Sequence, residues 1–275
     1  MGLLCENKPM PELVFLKLGG SLITDKTVPF TVRKDKIASL ASEISQFLNS
    51  NNDFRLVLGH GSGSFGHPAA KKYGTRQGVK SPEQWKGFAE VWYQASTLNR
   101  YLMDALLADD IPAVALAPVA AITARDGRVV RWDLNPLRSA LASGLIPVIY
   151  GDVVFDQDRG GTILSTEDLF AHLAMELRPQ RILLAGLEAA VWADFPERQM
   201  KVERITPVSF AQIKQGVGAG HGADVTGGME SKVKQMLDLV ESLPSLTVQI
   251  FSGEESGSLN KALKGEAVGT VISAT

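Results

Sequence analysis

Apolar residues along the chain follow two alternating patterns. Leu13 to Leu18 is a short, mostly apolar run closed by Gly19-Gly20, and Ile37, Leu40, Ala41, Ile44, Phe47 and Leu48 then recur at helical spacing. A buried strand therefore leads into an amphipathic helix. Phe54 to Leu58 repeats the strand signal and enters a glycine-rich loop over residues 60–67, after which residues 83–108 carry one long helical pattern. Ala113 to Leu116 and Ile146 to Tyr150 read as further buried strands, each punctuated by proline. Between them Asp126-Gly127 marks a hairpin, and Asp158 to Gly161 marks a second. Glu167 and Asp168 open a helix that runs to Leu177, and Ile182 to Ala185 is a strand. After a glycine-rich stretch from Gly216 to Gly228 come a helix from Met229 to about Leu243, a strand at Thr247 to Phe251, a short helix and a closing strand near Val268 to Ile272.

This alternation predicts an α/β fold, a largely parallel open sheet sandwiched between helices, with small hairpins at the substrate side. Ligands in such sheets sit at the carboxyl ends of the strands. No internal repeat or linker interrupts the pattern, so residues 1–275 read as one domain. Its two lobes would meet near residue 180, with 13–180 on one side and 181–275 on the other.

Composition narrows the functional classes. Of 275 residues, 45% are hydrophobic and 21% charged, enough for a full core. A formal charge of −2 gives no long-range attraction for nucleic acid or acidic lipid, so any anion must be held by local donors and the partners are expected to be small molecules. The single cysteine, Cys5, excludes a disulfide framework and a thiolate metal cage. The first twelve residues lack an apolar stretch, and no later run approaches the roughly 20 apolar residues a membrane helix needs. A cytoplasmic protein without membrane attachment is expected.

Chemistry concentrates in three glycine-rich turns: Lys17-Leu18-Gly19-Gly20-Ser21, Gly59 to His67, and Thr226-Gly227-Gly228-Met229-Glu230-Ser231-Lys232. Glycines let backbone N–H groups approach an anion, and a following helix adds the partial positive charge of its N-terminus. Three such turns together with Lys17, Lys26 and Lys232 point to a polyphosphate. Gly61, Gly63 and Gly66 also satisfy G-x-G-x-x-G, but a dinucleotide site wants an acidic strand end about 20 residues later, and Glu83 there reads as a helix start. Motifs for a P-loop, a serine hydrolase elbow and a zinc helix do not occur. His60 reads as a cap of its strand end, His172 as a packed or solvated helix position, and His221 as part of the late glycine-rich segment.

The ordered set Lys17 to Ser21, Asp25-Lys26, Gly61 to Pro68, Gly151 to Val154 and Asp224 to Lys232 resembles the amino acid kinase superfamily. Within it, Phe65-Gly66-His67-Pro68 followed by Ala69 to Tyr73 is similar to isopentenyl phosphate kinases. The resemblance implies a three-layer α/β/α fold and transfer of the γ-phosphoryl of ATP to an acceptor that already carries a phosphate. It implies Lys17, Lys26, Lys232, His67 and Asp152 as catalytic residues, the lysines around the transferring group and Asp152 orienting them. Gly19, Gly20, Ser21, Gly227 and Gly228 would complete the nucleotide side. Gly61, Ser62 and Gly63 would offer amide donors to the acceptor phosphate, His67 would bond it through the ring, and Gly151 would lie alongside. Phe88, Val91 and Ala95, at i, i+3 and i+7 on one helix face, would meet the prenyl tail, with Val153 and Ile163 opposite. Magnesium would arrive on the nucleotide phosphates, with no protein-built metal site, and a homodimer is implied.

Elementary chemistry supports such roles. A phosphate monoester has its second pKa near 6, so it is already a charged nucleophile and needs no general base. The obstacle is bringing two anions together, which positioning and positive charge overcome. His67 is therefore expected as a donor. Two departures from the family pattern stand out: Ser62 replaces a glycine, and residues 186–192 lack the usual aspartates beside the nucleotide, keeping only Glu188. The altered segment leaves open a nucleotide-binding regulator without turnover, and a phosphate-binding histidine, which does not identify what the phosphate carries, leaves open a kinase for another small phosphate monoester or a phosphonate.

Overall fold

The computed structural model describes residues 11–51, 53–213, 217 and 228–275. Gly227 and His221 lie outside them. The chain begins with β1 (Glu12–Leu18), α1 (Gly20–Ile23), α2 (Lys34–Asn49), β2 (Phe54–His60), α3 (Gly63–Tyr73) and α4 (Pro82–Ala108). Its middle comprises β3 (Ala113–Ala115), α5 (Pro118–Ala121), β4 (Ile122–Arg125), β5 (Arg128–Trp132), α6 (Asn135–Ala142), β6 (Ile146–Tyr150), β7 (Asp152–Asp156), β8 (Gly160–Leu164) and α7 (Thr166–Leu177). The rest is β9 (Arg181–Gly186), β10 (Val191–Trp192), β11 (Lys201–Val202), β12 (Arg204–Ile205), α8 (Pro207–Ile213), α9 (Gly228–Ser242), β13 (Thr247–Ser252), α10 (Ser258–Leu263) and β14 (Thr270–Ile272).

Eight strands form the main sheet in the order β12-β14-β13-β9-β1-β2-β6-β3. Every pairing in it is parallel except β13 with β14, which is antiparallel. Alternation along β1 feeds two cores: Phe15 packs with Phe170 and Leu173 of α7 and Val240 of α9 on one face, while Val14, Leu16 and Leu18 pack with Leu40 and Ile44 of α2 and Leu102 of α4 on the other. The expected α/β/α layering follows. Helix α4 starts on a capping box, Ser81 with Gln84, and has Pro82 in its first turn, where the missing N–H costs nothing.

A second sheet, β5-β4-β7-β8, is built from the two expected hairpins, β4–β5 before β6 and β7–β8 directly after it. Asp156 orders both turns. Its Oδ1 accepts from the amides of Asp126, Asp158 and Arg159 and its Oδ2 from that of Gly127, at 2.8–3.1 Å. Burial alone would raise the pKa of this carboxyl, and those four donors pull it below the ordinary value.

Candidate active site

The carboxyl ends of β1, β2, β6 and β9 lie side by side, because parallel pairing aligns Leu18 with His60 and Ala185, and His60 with Tyr150. The first two glycine turns cross there in backbone contact. A Cβ on Gly20 would stand 2.4 Å from the Gly63 nitrogen, and one on Gly63, whose φ is +49°, would meet Gly20 O at 2.5 Å. Thr24 stitches the crossing: its hydroxyl donates to Gly20 O at 2.7 Å and accepts from Ser64 N at 3.0 Å. Sequence reasoning missed Thr24, since nothing local marks a threonine whose partners lie in two separate turns.

The glycine-rich loop expected over residues 60–67 is shorter than its composition suggested. Gly63 already opens α3, so His67 sits on a helix, half-exposed. Pro68 cannot donate to the carbonyl of Ser64, and that carbonyl instead accepts Phe30 N at 3.2 Å, which lets a proline sit inside α3. His60 is fully buried at the strand end. Its ring stacks on Tyr150 with centroids 5.2 Å apart and lies 3.1 Å from Gly61 O and 3.2 Å from Asn99 Oδ1, and burial pushes its pKa down to about 4. A neutral ring that donates from Nδ1 to Gly61 O must accept at Nε2, which turns the Asn99 amide NH₂ toward it.

Lys17, at the end of β1, forms an ion pair with Glu167 of α7, and Lys232 of α9 stands 3.7 Å from the other oxygen of that carboxylate. Glu167 is 5% exposed. Burial alone would raise its pKa, but the Lys17 ammonium, and then that of Lys232, overcomes this and holds it at about 2. The carboxylate between the two lysines thus stays ionised through the whole neutral range. Glu167 is the carboxylate that the structure sets beside both lysines. The sequence marked it only as a helix start, and its partners come from two other segments.

Asp152 itself is fully buried at the start of β7. Its Oδ1 accepts Val153 N at 2.8 Å, while Oδ2 has no hydrogen-bond partner among the described residues. Burial pushes its pKa from 3.8 to about 8. The folded state therefore binds more protons than the unfolded chain across that window, and the carboxyl makes folding less favourable as pH rises from about 4 to about 8. Asp152→Asn is neutral throughout. Its stability relative to wild type is expected to climb with pH, by at most about 1.4 kcal/mol per pH unit. Urea melts at mildly acidic and mildly alkaline pH check this, and parallel profiles for the two proteins would contradict it.

The remaining expected residues separate into groups. Ser21 is the second residue of α1, next to the crossing, Gly228 opens α9 with a φ of +72°, and Lys26 is exposed in the segment after α1. Phe88 and Val91 of α4 do meet Val153 and Ile163, and Ala69 and Ala70 of α3 close the same apolar cluster immediately after His67. Ala95 is buried but stands outside that cluster. Glu188 is not an open carboxylate: Arg198 holds it at 2.8 and 3.0 Å and Trp192 Nε1 at 3.1 Å, and Arg198 is the main cause of its lowered pKa. Among the described residues, no group of three or more histidines, cysteines or carboxylates is placed to hold a metal, and no helix is long and apolar enough to cross a membrane.

Residues 12–252 match the sequence profile described as the amino acid kinase family. The chain belongs to that family. Within it, the chain is 34% identical over 264 residues to isopentenyl phosphate kinase of Methanothermobacter thermautotrophicus, an alignment covering 93% of this chain and 97% of that protein. Isopentenyl phosphate kinase of Methanocaldococcus jannaschii is also 34% identical, with 94% and 98% covered. A crystal structure of an isopentenyl phosphate kinase superposes with a TM-score of 0.80 at 31% identity, over 95% of this chain and all of that one. The similarity to each of these relatives runs over nearly the whole of both chains.

Proposed function

We propose that this protein transfers the γ-phosphoryl of ATP to isopentenyl phosphate, giving isopentenyl diphosphate and ADP. The observation that carries the reading is the pairing of a cationic cluster, Lys17 and Lys232 on buried Glu167, with an apolar cluster that begins on the very helix bearing His67. The first fits a loose phosphoryl-transfer transition state, which needs charge and alignment more than covalent help. The second fits an acceptor with nothing polar beyond its phosphate.

In this reading Gly61, Ser62 and Gly63 give amide donors to the acceptor phosphate and His67 adds a ring donor, with Gly151 beside them. Lys17, Lys232 and the exposed Lys26 gather on the transferring group, and Glu167 keeps the first two apart yet close. Gly19, Gly20, Ser21 and Gly228 border the nucleotide phosphates, and Gly227 is part of the same motif. Magnesium enters with ATP on those phosphates. The division into an acceptor part before about residue 180 and a nucleotide part after it, the cytoplasmic location and a homodimer belong to the same proposal. Exposed Trp92 and Tyr93 on α4 offer apolar surface for pairing.

Acceptor length tests the pocket. One methylene in an apolar pocket is worth only about 1–3 kcal/mol, so close C4 and C5 analogues should turn over while longer chains are rejected by clash. Phe88 also closes the far wall: its ring lies 5.2 Å from those of Trp85 and Phe155, and a Cβ on Gly161 would stand 2.9 Å from it. ADP release over a panel of phosphate monoesters should show isopentenyl phosphate preferred by wild type, and Phe88→Ala or Val91→Ala should raise geranyl phosphate turnover relative to it by about tenfold. An unchanged ratio in folded variants would remove this face from the pocket.

A further inference from the structure

Beside the lysine cluster lies a polar cleft of about 140 Å³. Three of its residues, Arg76, Asp168 and Gln235, have no part in the scheme above, yet they form one continuous connection. Arg76 follows α3 in the turn after Tyr73, on the segment that carries His67. Its carbonyl is fixed from the β7–β8 hairpin, accepting from Thr162 Oγ1 at 2.9 Å and Arg159 Nη1 at 3.2 Å. Its guanidinium Nη2 donates to Asp168 Oδ2 at 3.3 Å, and Gln235 Nε2 donates to Asp168 Oδ1 at 3.0 Å. Asp168 cannot swing between them, because its Oδ2 also accepts Ser165 N at 2.8 Å in the capping box of α7.

Gln235 lies three residues beyond Lys232, on the same side of α9. The neighbouring carboxylates of α7 therefore grip α9 at two successive levels, Glu167 on Lys232 and Asp168 on Gln235, while Asp168 alone extends the grip to the His67 segment. The Arg76–Asp168 pair is about one-quarter to one-third exposed, 30% and 25% at the two side chains. Pairs of that exposure add little to stability. What this one fixes is a distance.

We propose that Arg76, Asp168 and Gln235 are positioning residues, a bridge that sets the separation between the acceptor helix α3 and the end of α9 that carries Lys232. Transfer between two anions depends steeply on their alignment, so the bridge acts on turnover through Lys232 and His67 and touches neither substrate. Opening either link frees the same distance. Arg76→Gln and Gln235→Leu should each lower kcat at saturating substrates by about tenfold, and the double variant should also lose about tenfold and not a hundredfold. Arg76→Lys, which keeps a cation for Asp168, should recover most of the loss, and the melting temperatures should stay near wild type.

The kinetic cycle rests on the acceptor proposed above, so hydrogen exchange supplies a readout free of it. Arg76→Gln should speed exchange in the first turns of α9, and Gln235→Leu should speed exchange in the turn at residues 74–77, each across the bridge from its own site. Wild type inert toward isopentenyl phosphate would refute the acceptor and leave the bridge to the exchange data. A hundredfold loss in the double variant, kcat within about twofold of wild type in both single variants, or exchange changes confined to each variant's own segment would overturn the bridge.

Discussion

Lys17→Ala is expected to lower kcat by about 10³-fold while changing acceptor KM by only a few-fold. Removing one preorganised charge from a transition state that accumulates charge on phosphoryl oxygens typically costs two to three powers of ten or more. The same substitution also takes a cation from buried Glu167, whose pKa should rise from about 2 as that attraction is lost. Breaking a buried pair costs about 3 kcal/mol of stability or more, so a loss of activity alone would be ambiguous. Combining Lys17→Ala with Glu167→Gln separates the two effects. The double variant should regain much of the melting temperature, since no uncompensated buried charge remains, yet kcat should stay down. Recovery of kcat along with stability would show that Lys17 serves the fold and not the reaction.

His67 carries the second large effect. His67→Ala should lower kcat/KM for the acceptor by about 10²-fold or more, because a donor to the acceptor phosphate is lost where water cannot replace its geometry. His67→Gln keeps a neutral donor of similar reach and should retain a measurable part of that activity. A general base could not be replaced in this way, and the acceptor phosphate is ionised near neutral pH without one. Equal and complete loss in both folded variants would count against the donor role.

Much of the fold was legible because its strands are short, buried and bounded by turn chemistry. β1 and β2 carry apolar runs that end in glycine, and α4 announces itself through Ser81-Pro82 and a long helical period. Reading failed where composition and structure part. Residues 63–67 look like a loop because of their glycines, but Gly63 serves the close crossing with Gly20 and Gly66 leaves room for the Ser62 side chain, while the backbone is helical. Two-residue strands such as β12 leave no periodic trace, and the four-residue α1 is held by the turn around Gly19.

The site divides in the same way. Lys17, His67 and the glycine turns sit in local motifs and could be named from the sequence. Glu167, Thr24 and Asp168 could not, because each acts through partners from distant segments, and only tertiary pairing reveals which carboxylate meets the lysines. The expectation for Glu188 changed for a related reason. Its carboxylate is held by Arg198 and Trp192 and orders its own turn, a pairing that no local motif announces.

The central claim is the reaction itself. Incubating the protein with ATP, magnesium and isopentenyl phosphate and following phosphorus resonances should show the acceptor's single monoester signal replaced by the paired signals of a diphosphate, in step with ADP. Unchanged ATP and isopentenyl phosphate under conditions where the folded protein consumes a different phosphate monoester or a phosphonate would contradict it.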